Sequence, residues 1–438
     1  MCYAIPGQVV ALDGRVATIE YFGERKRAYN EMPFLRVGDF VYAQGGFVIK
    51  VIPPEEAQEV LATWKETFFE LQELDLRLSR LAVEGNGVAR NVLRILDKAL
   101  EERPLSREEL LTLLRLKNPR EREYLYKVAN FLRRKNLGNG ACVHGILEIS
   151  SFCRRNCAYC GLSLHNRGLS RYRMTEEEIL AASFEAVEVY GFQALVLQSG
   201  EDPGLSVEKL ARIVREIRKR HAVLIFVSFG EVGLEGLEEL YEAGARGLLL
   251  RFETGNPSLY AKLHPGYTLA TRLAHLEKAL ELGYLVATGG LIGLPGQTLE
   301  GILEDILLAK SLGAEMYSFG PFIPHPGTPL SSFSPPPPFW VLNALAVARI
   351  VDPERAKILV TTAFETLDPQ AARLGLLAGA NSLMLNVTPL AFRPKYDLYP
   401  QRAHVQETME EQIAATLSLL RSLGRAPTDL GVGTPRES

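Results

Sequence analysis

Three cysteines stand in one short segment, Cys153-Arg-Arg-Asn-Cys157-Ala-Tyr-Cys160. At a C-x3-C-x2-C spacing each thiolate can hold one iron of a [4Fe–4S] cubane, leaving the fourth iron open to a substrate. The plainer reading is a zinc knuckle. Zinc wants a fourth ligand, however, and the nearby His165 has no second cysteine pair beside it. The chain carries 5 cysteines in 438 residues, too few for a disulfide scaffold. Their clustering, in a reducing compartment, points to metal or redox chemistry. Cys142 stands apart and reads as a buried small hydrophobe.

Such a cluster needs a rigid frame. From residue 145 onward strand-like runs recur at 146–150, 194–198, 224–229, 247–252, 285–288, 316–320, 358–362 and 382–387. Helix-like segments lie between them near 175–190, 207–220, 233–243, 269–283, 298–312, 338–351 and 367–378, with a final one near 405–424. Eight such units in succession predict an α/β protein built on a (β/α)8 barrel. An open doubly wound sheet is the alternative, but no G-x-G-x-x-G follows the first strand. In a barrel the cysteine run directly follows the first strand, at the C-terminal mouth where such barrels place chemistry.

Residues 1–52 read as a separate β-rich module. Runs at 7–12 and 15–21 flank Asp13-Gly14, a strong hairpin signal, and further extended stretches follow at 26–30 and 40–51. Short strands of this kind predict a small closed β-barrel, OB-like in size. Residues 53–92 form the linker. There Val60, Leu61, Trp64, Phe68, Leu71, Leu74, Leu78 and Leu81 recur at three-to-four spacing, the stripe of a packing helix. Helices near 88–102, 106–116 and 119–135 lead into the barrel domain, placed at 93–425, with 426–438 as a tail; Ser106 and Glu109 form a capping box. The Pro335–Pro338 run stiffens a loop before a late helix.

Hydrophobic residues make up 47% and charged residues 23%, a soluble globular profile, and the net charge of −3 gives no whole-chain argument for nucleic acid or an anionic membrane. No apolar run reaches the length of a membrane span. Pro6, Gly7 and Asp13 interrupt any signal-peptide core, so a cytoplasmic location is expected.

Other charged residues fall at predicted strand ends. Arg251 and Glu253 follow the fourth strand, and Arg272 opens the next helix. Arginine forks match a carboxylate, and a glutamate suits an ammonium or a sulfonium. Singly, each reads as a structural ion pair; at successive strand ends they read as a binding site.

The cysteine spacing, with Tyr159 just before the last cysteine, resembles the radical S-adenosylmethionine (SAM) superfamily. The resemblance implies one [4Fe–4S] cluster on Cys153, Cys157 and Cys160, with SAM chelating the open iron and yielding a 5′-deoxyadenosyl radical on reductive cleavage. It implies adenine contacts by the backbone near Tyr159. Ser199 and Glu201, in Gln198-Ser-Gly-Glu-Asp202, then fall where members bind the SAM amino group. Leu294, in Leu291-Ile-Gly-Leu-Pro-Gly-Gln-Thr298, serves either adenosine contacts or barrel packing.

Local sequence goes further. Arg154–Leu162, Leu197–Pro203, Gly293–Thr298, Gly320–Pro326 and Asn386–Pro389 are similar, in order, to the HydE family of [FeFe]-hydrogenase maturases, within the biotin-synthase-like group. The resemblance spans about residues 93–425. It implies a cysteine-bound Fe–CO–CN complex as substrate, an electron donor for cluster reduction, and other hydrogenase maturation proteins as partners. Thr361, Thr362, Tyr396 and Tyr399 would line the substrate cavity. Some HydE proteins carry extra C-terminal cysteines for a second cluster; none follows Cys160 here, so a single cluster is expected.

Met1-Cys-Tyr-Ala-Ile-Pro-Gly7 and Gly46-Phe47 resemble the HypC family of [NiFe]-hydrogenase chaperones, which implies that Cys2 is an iron-complex ligand. Gln44 stands where that family has histidine. Within enzymes the rival reading is another biotin-synthase-like reaction, such as a methylornithine-synthase-type mutase, or [NiFe]-hydrogenase maturation. Sulfur insertion is disfavoured because the predicted barrel strands hold no cysteine. The rival from another class is a non-catalytic carrier of an iron complex.

Overall fold

The computed structural model describes residues 5–81 and 87–428. Cys2 therefore lies outside the described residues.

Five strands close the small barrel in the order β1-β2-β3-β5-β4: β1 (Gly7–Asp13), β2 (Val16–Tyr21), β3 (Glu24–Tyr29), β4 (Phe40–Gln44) and β5 (Phe47–Ile52). Alternation places Val9, Ala17, Ile19, Ala28, Val41 and Val48 in one inner cluster. The first hairpin turns one residue later than its sequence signal. Asp13 pairs with Val16, so Gly14 (φ +55°) and Arg15 make the turn, a geometry that takes glycine first. The run 40–51 is two strands broken at Gly45-Gly46.

The linker helix α1 (Pro54–Leu78) buries less of its stripe than expected. Phe68 and Leu71 pack with Tyr21 and Phe22 of the small barrel. On the same face one turn later stands Asp75, fully buried, whose carboxylate accepts two hydrogen bonds from Arg133 at 2.6 and 2.8 Å. Arg133 lies on α4 (Pro119–Leu137), which follows α2 (Arg90–Leu100) and α3 (Arg107–Leu114). A bidentate pair in a water-free interior fixes orientation as well as contact, so it pins the linker to the large domain. The expected Ser106–Glu109 capping box is present on α3.

The large domain is a ring of parallel strands: β6 (Cys142–Ser150), β7 (Ala194–Ser199), β8 (Leu224–Ser228), β9 (Gly247–Leu249), β10 (Leu285–Thr288), β12 (Met316–Tyr317), β14 (Lys357–Ile358) and β15 (Ser382–Asn386). A Leu359–Ser382 bridge joins the last two and completes the circle. The minor strands β11 (Leu291–Ile292) and β13 (Gly320–Pro321) pair at the mouth. Around the ring lie α5 (Glu176–Glu188), α6 (Val207–Arg220), α7 (Leu234–Glu242), α8 (Pro257–Leu263), α9 (Leu269–Leu282), α10 (Leu299–Ser311), α11 (Pro338–Val351), α12 (Thr362–Leu367), α13 (Ala371–Leu377) and α14 (Met409–Ser422).

Three departures from the sequence reading have local causes. The helix expected at 367–378 is the shorter α13, and a separate α12 comes before it and stops short of Pro369, which cannot continue it. The short α8, capped by Asn256 with Pro257 at its first position, was hidden in a seven-residue span. The first barrel strand begins at Cys142 rather than residue 146, so a barrel strand does hold a cysteine.

The small barrel covers the N-terminal end of the ring. Phe47 and Ile49 of β5 form one apolar cluster with Cys142, Ala194, Leu224, Leu285 and Met316, all at strand beginnings. Glu31 binds Arg246 across the same junction at 2.8 Å. The cysteine run, after the C-terminal end of β6, lies at the opposite end. No helix among the described residues is long and apolar enough to cross a membrane.

Candidate active site at the barrel mouth

Residues 153–160 form a loop tied to its surroundings by backbone bonds as well as by side chains. Arg154 N donates to Glu201 O (2.9 Å), Ala158 N to Leu263 O (2.8 Å) and Gly161 N to Leu398 O (2.8 Å). Gly200 permits the approach: a Cβ there would lie 2.3 Å from Phe152 O and 2.8 Å from Cys153 Cβ. All three cysteines face one cavity of about 330 Å³.

Burial, and then the neighbouring Cys153, pushes the Cys157 thiol up to about 12. Burial with Cys157 and Cys153 raises Cys160 well above a free thiol. Three thiols that resist ionisation together need a cationic partner to become thiolates, which iron supplies outright. No three Cys, His, Asp or Glu side chains among the described residues converge on a point where one ion could sit. That disfavours the zinc knuckle and fits a cubane, in which each thiolate holds a different iron.

Beside the loop lies a buried charge network. Arg155 pairs with Glu201 (2.6 Å) and Glu231, its guanidinium 3.6 Å above the Tyr267 ring. Arg272 donates to Glu231 (2.7 Å) and to Arg251 O (2.6 Å), and Arg251 to Glu253 (2.7 Å). Burial would raise the Glu231 carboxyl, but Arg272 and Arg155 outweigh it and hold it below its usual range. Glu253 adopts φ +66° next to Gly290, where a Cβ would lie 2.5 Å from Glu253 O. Such strain at a cavity wall is kept where a side chain must point one way. Tyr159 closes this side, its hydroxyl 3.0 Å from His264 Nε2. Burial and then Arg272 depress His264 to about 3, so it stands neutral.

The far wall is polar as well. Tyr396 OH accepts from Gln198 (3.1 Å), and Arg402 pairs with the buried Glu148, which also accepts from Asn386 (3.0 Å). Thr361 caps α12 and Thr362 begins it. His404, at φ +65°, lies between Glu365 (3.2 Å) and Glu407 (2.9 Å), which raise it to about 9.

The cavity brings together Cys153, Cys157, Tyr159, Cys160, Ser199, Glu201, Arg251, Glu253, Arg272, Thr361, Thr362, Tyr396 and Tyr399. Leu294 is not among its lining; it packs behind the wall with Leu263, Leu291, Phe322 and Tyr159, the packing half of its two readings. Sequence reasoning passed over Arg155, Glu231, Glu148 and Arg402. Glu148 carried a usable signal: two residues after Ile146 it shares that residue's face of the strand, the position of a charge facing inward. Arg402 carried none, since its partner lies 254 residues away.

Residues 147–309 match the family model described as the Radical SAM superfamily, and residues 1–64 that of the HupF/HypC family. The chain is 40% identical over 333 residues, 76% of its own length and 94% of the relative's, to the "[FeFe] hydrogenase maturase subunit HydE" of Thermotoga maritima. It is 29% identical to 3-methylornithine synthase of Methanosarcina acetivorans over 76% of this chain and 93% of that one. The crystal structure of a methylornithine synthase superposes with a TM-score of 0.67 at 26% identity, covering 77% of this chain and 98% of the other.

Proposed function

The chain belongs to the HydE family of radical SAM enzymes, and from that premise we propose that it cleaves SAM at the barrel mouth in hydrogenase maturation, acting on a cysteine-bound Fe–CO–CN complex. The observation that carries the reading is the shared cavity: three cysteines, a charged wall and a polar far wall face one another inside it. When bound, the [4Fe–4S] cluster and SAM supply an electron and a 5′-deoxyadenosyl radical. The chain's own groups do the positioning.

Glu201 and Ser199 suit the SAM ammonium, Arg251 and Arg272 its carboxylate, and the backbone near Tyr159 its adenine. The Glu231–Arg155 pair holds Glu201 and Arg272 in place. Tyr396, Tyr399, Thr361 and Thr362 offer hydroxyls to the substrate across the cavity, and the Arg402–Glu148 pair fixes that wall. Enclosure keeps water and other reductants from the radical's path. The cluster's electron comes from an external donor, other maturation proteins are the partners, and the setting is cytoplasmic. Cys2 serves the small barrel as an iron-complex ligand.

A second reading has its own support. The Glu148–Arg402 pair would suit the charged ends of an amino acid, and the methylornithine synthase similarity spans the barrel. The HupF/HypC match favours the first. Reconstituted full-length protein should restore hydrogen evolution to an in vitro [FeFe]-hydrogenase maturation mixture lacking its HydE component. Failure there, with formation of 3-methylornithine from an amino-acid substrate, would select the mutase. Cys2→Ala should lower maturation yield while leaving 5′-deoxyadenosine release unchanged; equal yield would remove Cys2 from the account.

A further inference from the structure

Joining the charged wall to the cysteine loop is one short element, α8 (Pro257–Leu263), to which the proposed chemistry gives no part. It starts a few residues after Arg251 and Glu253, where the Asn256 side chain accepts from Leu259 N (3.0 Å). It ends against the cysteine loop, where two consecutive residues hold two consecutive residues. Leu263 O accepts from Ala158 N (2.8 Å), and His264 Nε2 lies 3.0 Å from the Tyr159 hydroxyl.

The direction of that second contact follows from the other ring nitrogen. His264 Nδ1 lies 3.1 Å from Tyr260 O, and a carbonyl can only accept, so Nδ1 carries the proton. Burial, and then Arg272, keeps the ring neutral. Nε2 is therefore a lone-pair acceptor, and the Tyr159 hydroxyl donates to it. The ring is buried, stacked on Tyr260 at 4.1 Å and met edge-on by Tyr159 at 5.5 Å.

What this contact holds is a residue with its backbone unpaired. The N–H and C=O of Ala158 are both engaged, with Leu263 O and with Leu330 N (3.3 Å), and Cys160 O accepts from Ser163 N (2.9 Å). The N–H and C=O of Tyr159 have no partner among the described residues, and Tyr159 lines the mouth cavity. Backbone groups in such a place call for a ligand. One donor and one acceptor match adenine, whose amino group donates beside a ring nitrogen that accepts; guanine carries a carbonyl in place of that amino group.

We propose that His264 is a positioning residue for SAM: by accepting from the Tyr159 hydroxyl it keeps the unpaired N–H and C=O of Tyr159 at the cavity wall for the adenine edge, and through α8 it ties that contact to Arg251 and Glu253. This role rests on the SAM reading of the mouth and adds to it the side chain that holds the adenine contact. His264 itself touches Tyr159 and not the ligand.

The test reads binding rather than turnover, on full-length protein with its cluster reconstituted. Equilibrium dialysis is run with SAM and, separately, with methionine, which lacks the adenine. His264→Leu removes the acceptor and should weaken SAM about three- to tenfold while leaving methionine affinity unchanged. His264→Gln, with an amide oxygen of similar reach, should recover most of that loss. In a Tyr159→Phe background, which has no hydroxyl to hold, His264→Leu should have no further effect. Equal losses for SAM and methionine, SAM affinity unchanged in His264→Leu, or full additivity with Tyr159→Phe each overturns the proposal. Wild-type protein that holds its cluster and binds no SAM would sink the SAM reading itself, and this role with it. Should His264→Leu not fold, Tyr159→Phe alone must show the same selective loss of SAM, and its absence overturns the role equally.

Discussion

The two ends of the large barrel use the same strands for opposite purposes. At the mouth, Arg155, Glu201, Glu231, Arg272, Glu148 and Arg402 are drawn from distant parts of the chain and held by one another around a cavity. At the base, Ala194, Leu224, Leu285 and Met316 meet Phe47 and Ile49 in an apolar seal. A single strand spans the change, since β6 has a thiol and an imidazole facing inward at the base and a carboxylate at the mouth. The mouth is arranged for reaction and the base for attachment. The small barrel packs on the barrel's floor, at the end away from the cysteine loop.

The comparison breaks first at the mouth. Cys157→Ala should abolish 5′-deoxyadenosine formation, read against the assay blank, because two thiolates leave the cubane short of a ligand. Activity within tenfold of wild type would place the cluster elsewhere. Arg402→Met strands the carboxylate of Glu148 in the wall and should lower unfolding stability by about 3–5 kcal/mol in denaturant titration. A loss under 1 kcal/mol would mean water reaches that wall freely.

At the base, Phe47→Ala removes a large aromatic side chain of the seal. It should cost about 3 kcal/mol and speed amide exchange at the beginnings of β7 and β8, leaving exchange at the cysteine loop unchanged. Equal acceleration at both ends would erase the distinction between them.

The smallest effect is a pH dependence. Glu365 and Glu407 raise His404 to about 9, above its unfolded value of about 6.5, so its contribution is complete below pH 6.5 and fades as pH rises through 9. With a third of the side chain exposed, His404→Gln should cost only about 1 kcal/mol at pH 6 and nothing at pH 10. A cost that grows with pH would contradict the assignment.

Much of this was legible in the sequence because it is local. Alternating strand and helix runs gave the ring, and cysteine spacing gave the cluster loop. The capping box on α3 depends on residues three apart. What stayed hidden depends on closure of the ring. Arg402 acquires meaning only when α14 and β15 bring it against β6. Asp75 acquires its role only when Arg133, 58 residues on, meets it. The base seal needs two domains, and neither Phe47 nor Cys142 announces the other. The hairpin shift by one residue shows the limit even of local signals: Asp13-Gly14 marks a turn, while the pairing of Asp13 with Val16 decides which residues make it.

The most direct test of the mouth chemistry is anaerobic reconstitution with counting of acid-labile sulfide and of 5′-deoxyadenosine after reduction in the presence of SAM. The account predicts about four sulfides per chain, 5′-deoxyadenosine released, and both lost when Cys153, Cys157 and Cys160 are replaced together. A cluster retained by that triple variant, or one that forms in the wild type and never cleaves SAM, would contradict it.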